Sequence, residues 1–474
     1  MSKELHTKLL AQGLLVLSQV GFPIITYPVV TKILGPSGLG KVNFADSLVQ
    51  TILIVASLGI PIYGIREIAI HKNDKKAQSR IFSELFLLQA LIVIPALIIF
   101  SLLGLLSQID PALLIIGAIT LTGNFLSCDW FLQGNERFFF LAVRSFIIRA
   151  IGAALIWLLI KTEHDYLLYY GILTGSMVVS SIVNLVIIFP SIDFSNRKIS
   201  IWSHVKKMNW LYGCYILASL YALIDSLLLG WISTSEAVGY YSFGYRLLRM
   251  SAMMIATLGV VFVPRIAFHF AAAKEKEVRE QISTSLQLVL FLSIPLSIFF
   301  FILAPEIVAV FSGSQFHRTI SVIQILSPLP FLIALSHLTG TQIMLSIKKE
   351  KAYFLILLIG CFLNVLLDVI FISQLKEQAP AIANLLVEAF VTAATVIYLR
   401  KKNIFPFPLG YFIYCVLSSL LLLPIVYWLR LVTSSPLLTL ISSFFITAIL
   451  YVFLHFKFFP QSFVRKLLSF KLFL

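Results

Sequence analysis

The sequence predicts an all-α integral membrane protein of about fourteen transmembrane helices, arranged as two pseudo-symmetric six-helix bundles plus two C-terminal helices. Three observations carry that prediction. Hydrophobic residues fill 59% of 474 positions, charged residues 12%, and the mean hydropathy is +0.97, a composition from which no soluble surface is built. The apolar residues are gathered into runs of roughly 20, enough to cross a hydrocarbon core about 30 Å thick as helices, and the short alternating segments of a membrane barrel are missing. Finally, LGKVNFADSL at Leu39 to Leu48 returns in degenerate form as VGYYSFGYRL at Val238 to Leu247, matching Gly40 with Gly239 and Phe44 with Phe243. A second block follows in both copies, ASLGIPIYGIREIA from Ala56 and ATLGVVFVPRIA from Ala256, where Arg66 meets Arg265. Elements recurring in one order at a near-constant offset imply two related halves.

Taken in order, the candidate spans are 9–32, 42–65, 81–106, 112–133, 139–160, 166–190, 209–232, 240–264, 284–304, 319–346, 353–374, 381–399, 408–430 and 438–456. The first follows Lys3 and Lys8 as a signal peptide would, but it runs past Pro23 without a small-residue cleavage site and so reads as a span. The ranges group as an N-terminal bundle over 1–200, a C-terminal bundle over 201–402, and two extra helices with a cytoplasmic tail over 403–474. Connections are short, so the protein works within or beside the bilayer.

Charge orients the spans. Alternate loops hold clusters such as Lys72, Lys75, Lys76 and Arg80; Arg197 and Lys198; Lys348, Lys349 and Lys351; and Arg465, Lys466 and Lys471. By the positive-inside rule these loops and both termini are cytoplasmic. The net charge of +15 then reports topology and attraction to anionic membrane lipid, with no nucleic-acid partner implied.

Five arginines remain at membrane depth: Arg144, Arg149, Arg246, Arg249 and Arg265. Each costs at least about 2.5 kcal/mol on insertion scales unless it faces protein, water or an anion. The guanidinium fork suits phosphate and carboxylate, so these residues point to a cationic cavity between the halves that receives an anionic headgroup. The structural alternative is that Arg144 and Arg265 snorkel to cytoplasmic ends and that Arg246 pairs with Asp225, which lies at similar depth. Among the embedded acids, Asp46, Asp225, Asp368 and Glu388 are candidates for binding a coupling proton or sodium ion, whereas Glu84 and Asp129 read as interfacial carboxylates. Pro23 and Pro28 in GFPIITYP, Pro61, and Pro328 and Pro330 in SPLP interrupt spans and are candidate gates. The four cysteines lie in apolar runs without metal-ligand spacing, and the sequence predicts no metal, no organic cofactor and no catalytic arrangement.

The motifs ILGPSGLGKVNFADS, LGIPIYGIREIA, DWFLQGNERF and YYSFGYRLLRM resemble those of the oligosaccharide flippases of bacterial polysaccharide biosynthesis, the Wzx or O-antigen transporters. That group belongs to the multidrug/oligosaccharidyl-lipid/polysaccharide exporter superfamily, with the multidrug and toxin extruders and the lipid II flippases. The resemblance implies a flippase of the bacterial inner membrane that moves undecaprenyl-pyrophosphate-linked oligosaccharide to the outer leaflet by alternating access. It also implies an ion gradient as the driving force, and polysaccharide polymerase and chain-length proteins as neighbours. Carried over by position, it puts Arg66, Arg149 and Arg249 on the headgroup path. A lipid II-type flippase, or an extruder, is the alternative. Extruder cargo is usually cationic, which an arginine-rich interior repels.

Overall fold

The computed structural model describes residues 3–194, 200–207, 210–259, 262–272 and 274–458; every regular element among them is helical. The chain divides into two compact units, Met1–Gly239 and Tyr240–Leu474. Of the loop charges named above, Arg197, Lys198, Arg465, Lys466 and Lys471 lie outside the described residues.

The first unit is organised around α1 (Lys3–Ala56), which keeps Pro23 and Pro28 in its interior and turns at Gly35, φ 65° and ψ −178°. Only glycine adopts that geometry without strain, and Pro36 next to it has no N–H to lose. After Leu58 and Gly59, both at positive φ, α2 (Ile60–Ile70) begins. Pro61 lies in its first turn, where the missing N–H would be unpaired anyway. It therefore opens a new helix, and the expected second span, 42–65, is interrupted between Ala56 and Ile60, just before it. Next come α3 (Lys75–Leu106), capped by the Asp74 carboxylate, and α4 (Pro111–Leu126), capped by Asp110. A left-handed residue, Cys128 at φ 45°, separates α4 from α5 (Asp129–Gly134). The unit is completed by α6 (Phe138–Leu159), α7 (Tyr166–Ile188), α8 (Ile201–Lys207), α9 (Trp210–Ile232) and the first turn of α10 (Ser235–Gly259). The long α1 packs on α3, α4, α6, α7 and α9, while the short α2 packs on α3 and α5. The repeat-matched glycines meet: a Cβ on Gly40 would strike the Ser235 carbonyl, and one on Gly239 the Pro36 carbonyl.

In the second unit α10 is followed by α11 (Val263–Ala271), with Pro264 in its first turn. The second repeat copy thus also folds as a long helix and then a short proline-opened one. Then come α12 (Glu275–Ile302), α13 (Ala304–Phe311), α14 (Thr319–Leu326) and α15 (Leu329–His337), which continues as a π-helical turn over Leu338–Met344. Pro328 and Pro330 stand where α14 gives way to α15, and the segment bends there by 41°. The remaining helices are α16 (Glu350–Leu375), α17 (Gln378–Lys401), α18 (Leu409–Ser419), α19 (Leu422–Val432) and α20 (Pro436–Phe458). The pair α16 and α17 forms an antiparallel hairpin, of which α17 packs on α14 and α15.

Ten helices among the described residues are long and apolar enough to cross a membrane, or thirteen if each bent pair counts as one span. The chain is a multi-pass membrane protein. The expected fourteen are not reached in this count, and the difference lies in α1, where helical hydrogen bonding carries through the Gly35 corner and joins the first two expected spans.

Candidate functional site

The first unit contains an open cavity of about 630 Å³ between α1, α4, α5, α6 and α7. Pro23 of α1 lies in its wall, where an unpaired helical carbonyl is tolerated because the helix borders open space. Arg144 and Arg149, on one helix and five residues apart, both line it, as does Asp129.

Their surroundings differ. Arg144 is 9% exposed and clamped: Nη1 donates to Asp129 Oδ1 at 3.0 Å and to Asn184 Oδ1, and Nη2 donates to Ser145 Oγ at 3.2 Å. Asn184 of α7, fully buried, in turn donates to the Ser127 carbonyl that the break at Cys128 leaves without a helical partner, and to Asp129 Oδ1. Arg144 therefore does not snorkel, and Asp129 is no simple interfacial carboxylate; the two tie α5, α6 and α7 together. Buried Nε of Arg144 has no partner. Arg149 is half-buried and makes no hydrogen bond and no ion pair among the described residues. With Asp129 balancing Arg144, the three groups leave one net positive charge, and Arg149 is the group free to use it. Asn124, Gln133, Ser145, Ser176 and Ser180 add neutral donors and acceptors to the wall, the chemistry that sugar hydroxyls pair with.

The other expected residues lie elsewhere. Arg66 on α2 and Arg265 on α11 are exposed, and Arg246 is half-buried on α10. Arg249 donates to the Tyr245 hydroxyl and stands 5.6 Å from that ring's centre. None of these four lines the cavity. Asp46 accepts from Gln50 at 3.3 Å, and Asp225 is fully buried. Asp368 of α16 and Glu388 of α17 are 0% and 2% exposed, and Asn364 and Asn384, one turn from each, are 0% and 1%. Counted from the turn at Lys376, the hairpin puts Asn364 level with Glu388 and Asp368 level with Asn384. Nothing local in the sequence marks Asn184, whereas Asn364 and Asn384 carry a sequence signal, an amide and a carboxylate four residues apart on each helix. Among the described residues no three His, Cys, Asp or Glu side chains gather as a metal site.

The family model described as polysaccharide biosynthesis protein matches residues 8–270, and the model described as MatE matches 213–370. A putative O-antigen transporter of Escherichia coli (strain K12) is 24% identical over 390 residues, covering 81% of this chain and 93% of that protein. Among solved structures, the lipid II flippase MurJ in an inward closed conformation superposes with a TM-score of 0.76 at 17% identity, over 96% of this chain and 99% of that one. An inward-facing multidrug resistance transporter of the MATE family gives 0.63 at 13% identity, over 82% of this chain and 98% of that one.

Proposed function

The chain belongs to the polysaccharide biosynthesis protein family, and from that membership we propose that it is a flippase carrying undecaprenyl-pyrophosphate-linked oligosaccharide repeat units from the cytoplasmic to the outer leaflet of the bacterial inner membrane. The observation that carries this reading is the cavity of the first unit, with one unpaired guanidinium, Arg149, among hydroxyl and amide groups inside a membrane bundle. An arginine at that depth is costly without a partner, and a cargo bearing phosphate and sugar supplies both an anion for the fork and hydroxyls for the wall. The named relatives are transporters and not catalysts.

In this reading Arg149 grips the headgroup, Arg144 shapes the cavity under the hold of Asp129, and Arg66, Arg246, Arg249 and Arg265 contribute charge along the route. Both termini are cytoplasmic, as the loop charges require. Transport alternates access and draws on a proton or sodium gradient, with Asp46, Asp225, Asp368 and Glu388 as the groups that load the ion and Pro23, Pro28, Pro61, Pro328 and Pro330 as hinge or gate positions. A polymerase and chain-length proteins receive the product.

The test is the surface polysaccharide of a deletion strain complemented with wild type or Arg149→Ala. Loss of surface polysaccharide with accumulation of undecaprenyl-linked units, restored only by wild type, supports the reading. Unchanged glycans with raised drug sensitivity would replace it with an extruder, and arrested peptidoglycan synthesis with a lipid II-type flippase.

A further inference from the structure

The carboxylates held in the helices of this chain are engaged to different extents. Glu84 on α3 is 3% exposed, so it is no interfacial carboxylate, and both its oxygens are taken. Oε2 meets Nε2 of His204 at 2.7 Å, and Oε1 accepts from Arg80 Nε at 3.1 Å and from the Ser200 backbone N–H at 2.8 Å. Glu306 on α13 likewise accepts at one oxygen from Arg430 Nε, at 2.6 Å, and at the other from Nη2, at 2.9 Å. Asp129 differs. Both donors that reach it, Arg144 Nη1 and Asn184 Nδ2, arrive at Oδ1, and among the described residues Oδ2 accepts no hydrogen bond. The side chain is 41% exposed and lines the cavity, so the unused oxygen is open to whatever the cavity holds.

The clamp on α5, α6 and α7 runs through Oδ1. Oδ2 keeps its lone pairs and its share of the negative charge, which makes it an acceptor for two neighbouring hydroxyl donors and a source of repulsion for a second anion. Arg149 interacts electrostatically with Asp129 in the same cavity and has the opposite requirement, an anion. The wall therefore offers two unlike contacts, a guanidinium for phosphate and a carboxylate oxygen for O–H groups. Two further side chains of that wall suit the remainder of a sugar ring. Gln133, one turn after Asp129 on α5, carries an amide, and Phe22, whose ring meets that of Phe146 edge-on with centres 5.2 Å apart, carries an apolar face for C–H groups.

Resting on the flippase reading above, we propose that Asp129 selects the sugar. Its Oδ2 accepts hydrogen bonds from two neighbouring hydroxyls of the sugar joined to the diphosphate that Arg149 grips. The cargo class is then a neutral sugar with a free vicinal diol, and an acidic sugar at that place is rejected. Asp129 is a specificity residue as well as one end of the clamp.

Binding is titrated by native mass spectrometry on purified full-length protein. The probes are undecaprenyl pyrophosphate alone and the same lipid carrying a neutral hexose, that hexose with neighbouring hydroxyls removed, or the corresponding hexuronate. In the wild type the hexose is expected to raise affinity about tenfold over the sugar-free lipid, and the other two sugars by under about twofold. Asp129→Asn keeps an oxygen for Arg144 and Asn184 and puts an amide donor where Oδ2 stood. Its gain from the hexose falls to under about twofold, and its hexuronate lipid binds at least as tightly as its hexose lipid. A clamp role alone would weaken every probe together and leave their ratios as in the wild type, and that result overturns the proposal. So does wild-type protein that binds the hexose lipid no better than the forms lacking neighbouring hydroxyls, an outcome that needs no variant to fold. Failure of the flippase reading is a separate result: sugar-free lipid bound by Arg149→Ala as tightly as by the wild type, which removes the cargo and this inference with it.

Discussion

The hairpin α6–α7 of the first unit and the hairpin α16–α17 of the second are the fifth and sixth spans of their respective halves, yet they bury opposite charge. The first holds Arg144 and Arg149 against a cavity, with Asp129 and Asn184 clamping one of the two. The second holds Asp368 and Glu388, each beside an asparagine and each shielded to 2% exposure or less. A guanidinium with open space before it suits a bulky anion, whereas carboxylates packed among amides with almost no exposed surface do not. In the function proposed above, the first half faces the cargo and the second carries the coupling groups.

Five substitutions break or sharpen this contrast. The largest effect is expected at Asp129→Ala, which leaves Arg144 buried with one acceptor fewer. We expect a loss of about 2 to 3 kcal/mol, seen as a lower unfolding midpoint of the purified protein, while a midpoint equal to wild type would mean Asn184 alone satisfies Arg144. Second is Arg149→Ala, with export falling about tenfold at an undiminished level of inserted protein, the loss of one charge-assisted contact. Export at wild-type level would detach Arg149 from the cargo. Third, Asp368→Asn or Glu388→Gln should leave the fold intact and make vesicle transport insensitive to collapse of the proton or sodium gradient, with a reduction in initial rate of about fivefold. Continued sensitivity would move ion coupling out of this hairpin. The smallest effect is expected for Arg149→Lys, which keeps the charge and loses the fork, giving export within about threefold of wild type; full activity would show that charge alone suffices there.

The helical class, the length of most spans and the break at Pro328 and Pro330 were legible in the sequence because each is a local property: apolar run length, or a residue without an N–H. The repeat was legible too, and it marked Gly40 and Gly239, whose close approach only the fold reveals. Less was legible in the site. Arg144 and Arg149 stood out because arginine at membrane depth is conspicuous in any apolar run. Asn184 did not, since it lies forty residues from the arginine it serves and an amide in a membrane helix has no local signature. Glu84 was misread for a similar reason: its partner His204 is 120 residues away, and only tertiary packing turns a carboxylate near a helix start into a buried one. The break at Pro61 was legible in the same way as that at Pro328 and Pro330, but the two positive-φ residues that end α1, Leu58 and Gly59, were hidden in the apolar run before it.

The short helix α2 has a consequence for how the first unit is held together. Its 11 residues reach only about 16 Å, half of what a bilayer requires. It is fixed in place by interlocking with α5: a Cβ on Gly64 would strike the Trp130 ring, and one on Gly134 would stand 2.7 Å from Cβ of Ile68. The packing partners of α2 all follow it in the chain: α3 begins five residues later, and the interlocking glycine contact with α5 comes some sixty residues on. A helix too short to span is thus held in the first unit by its neighbours, and its position depends on contacts the later helices supply.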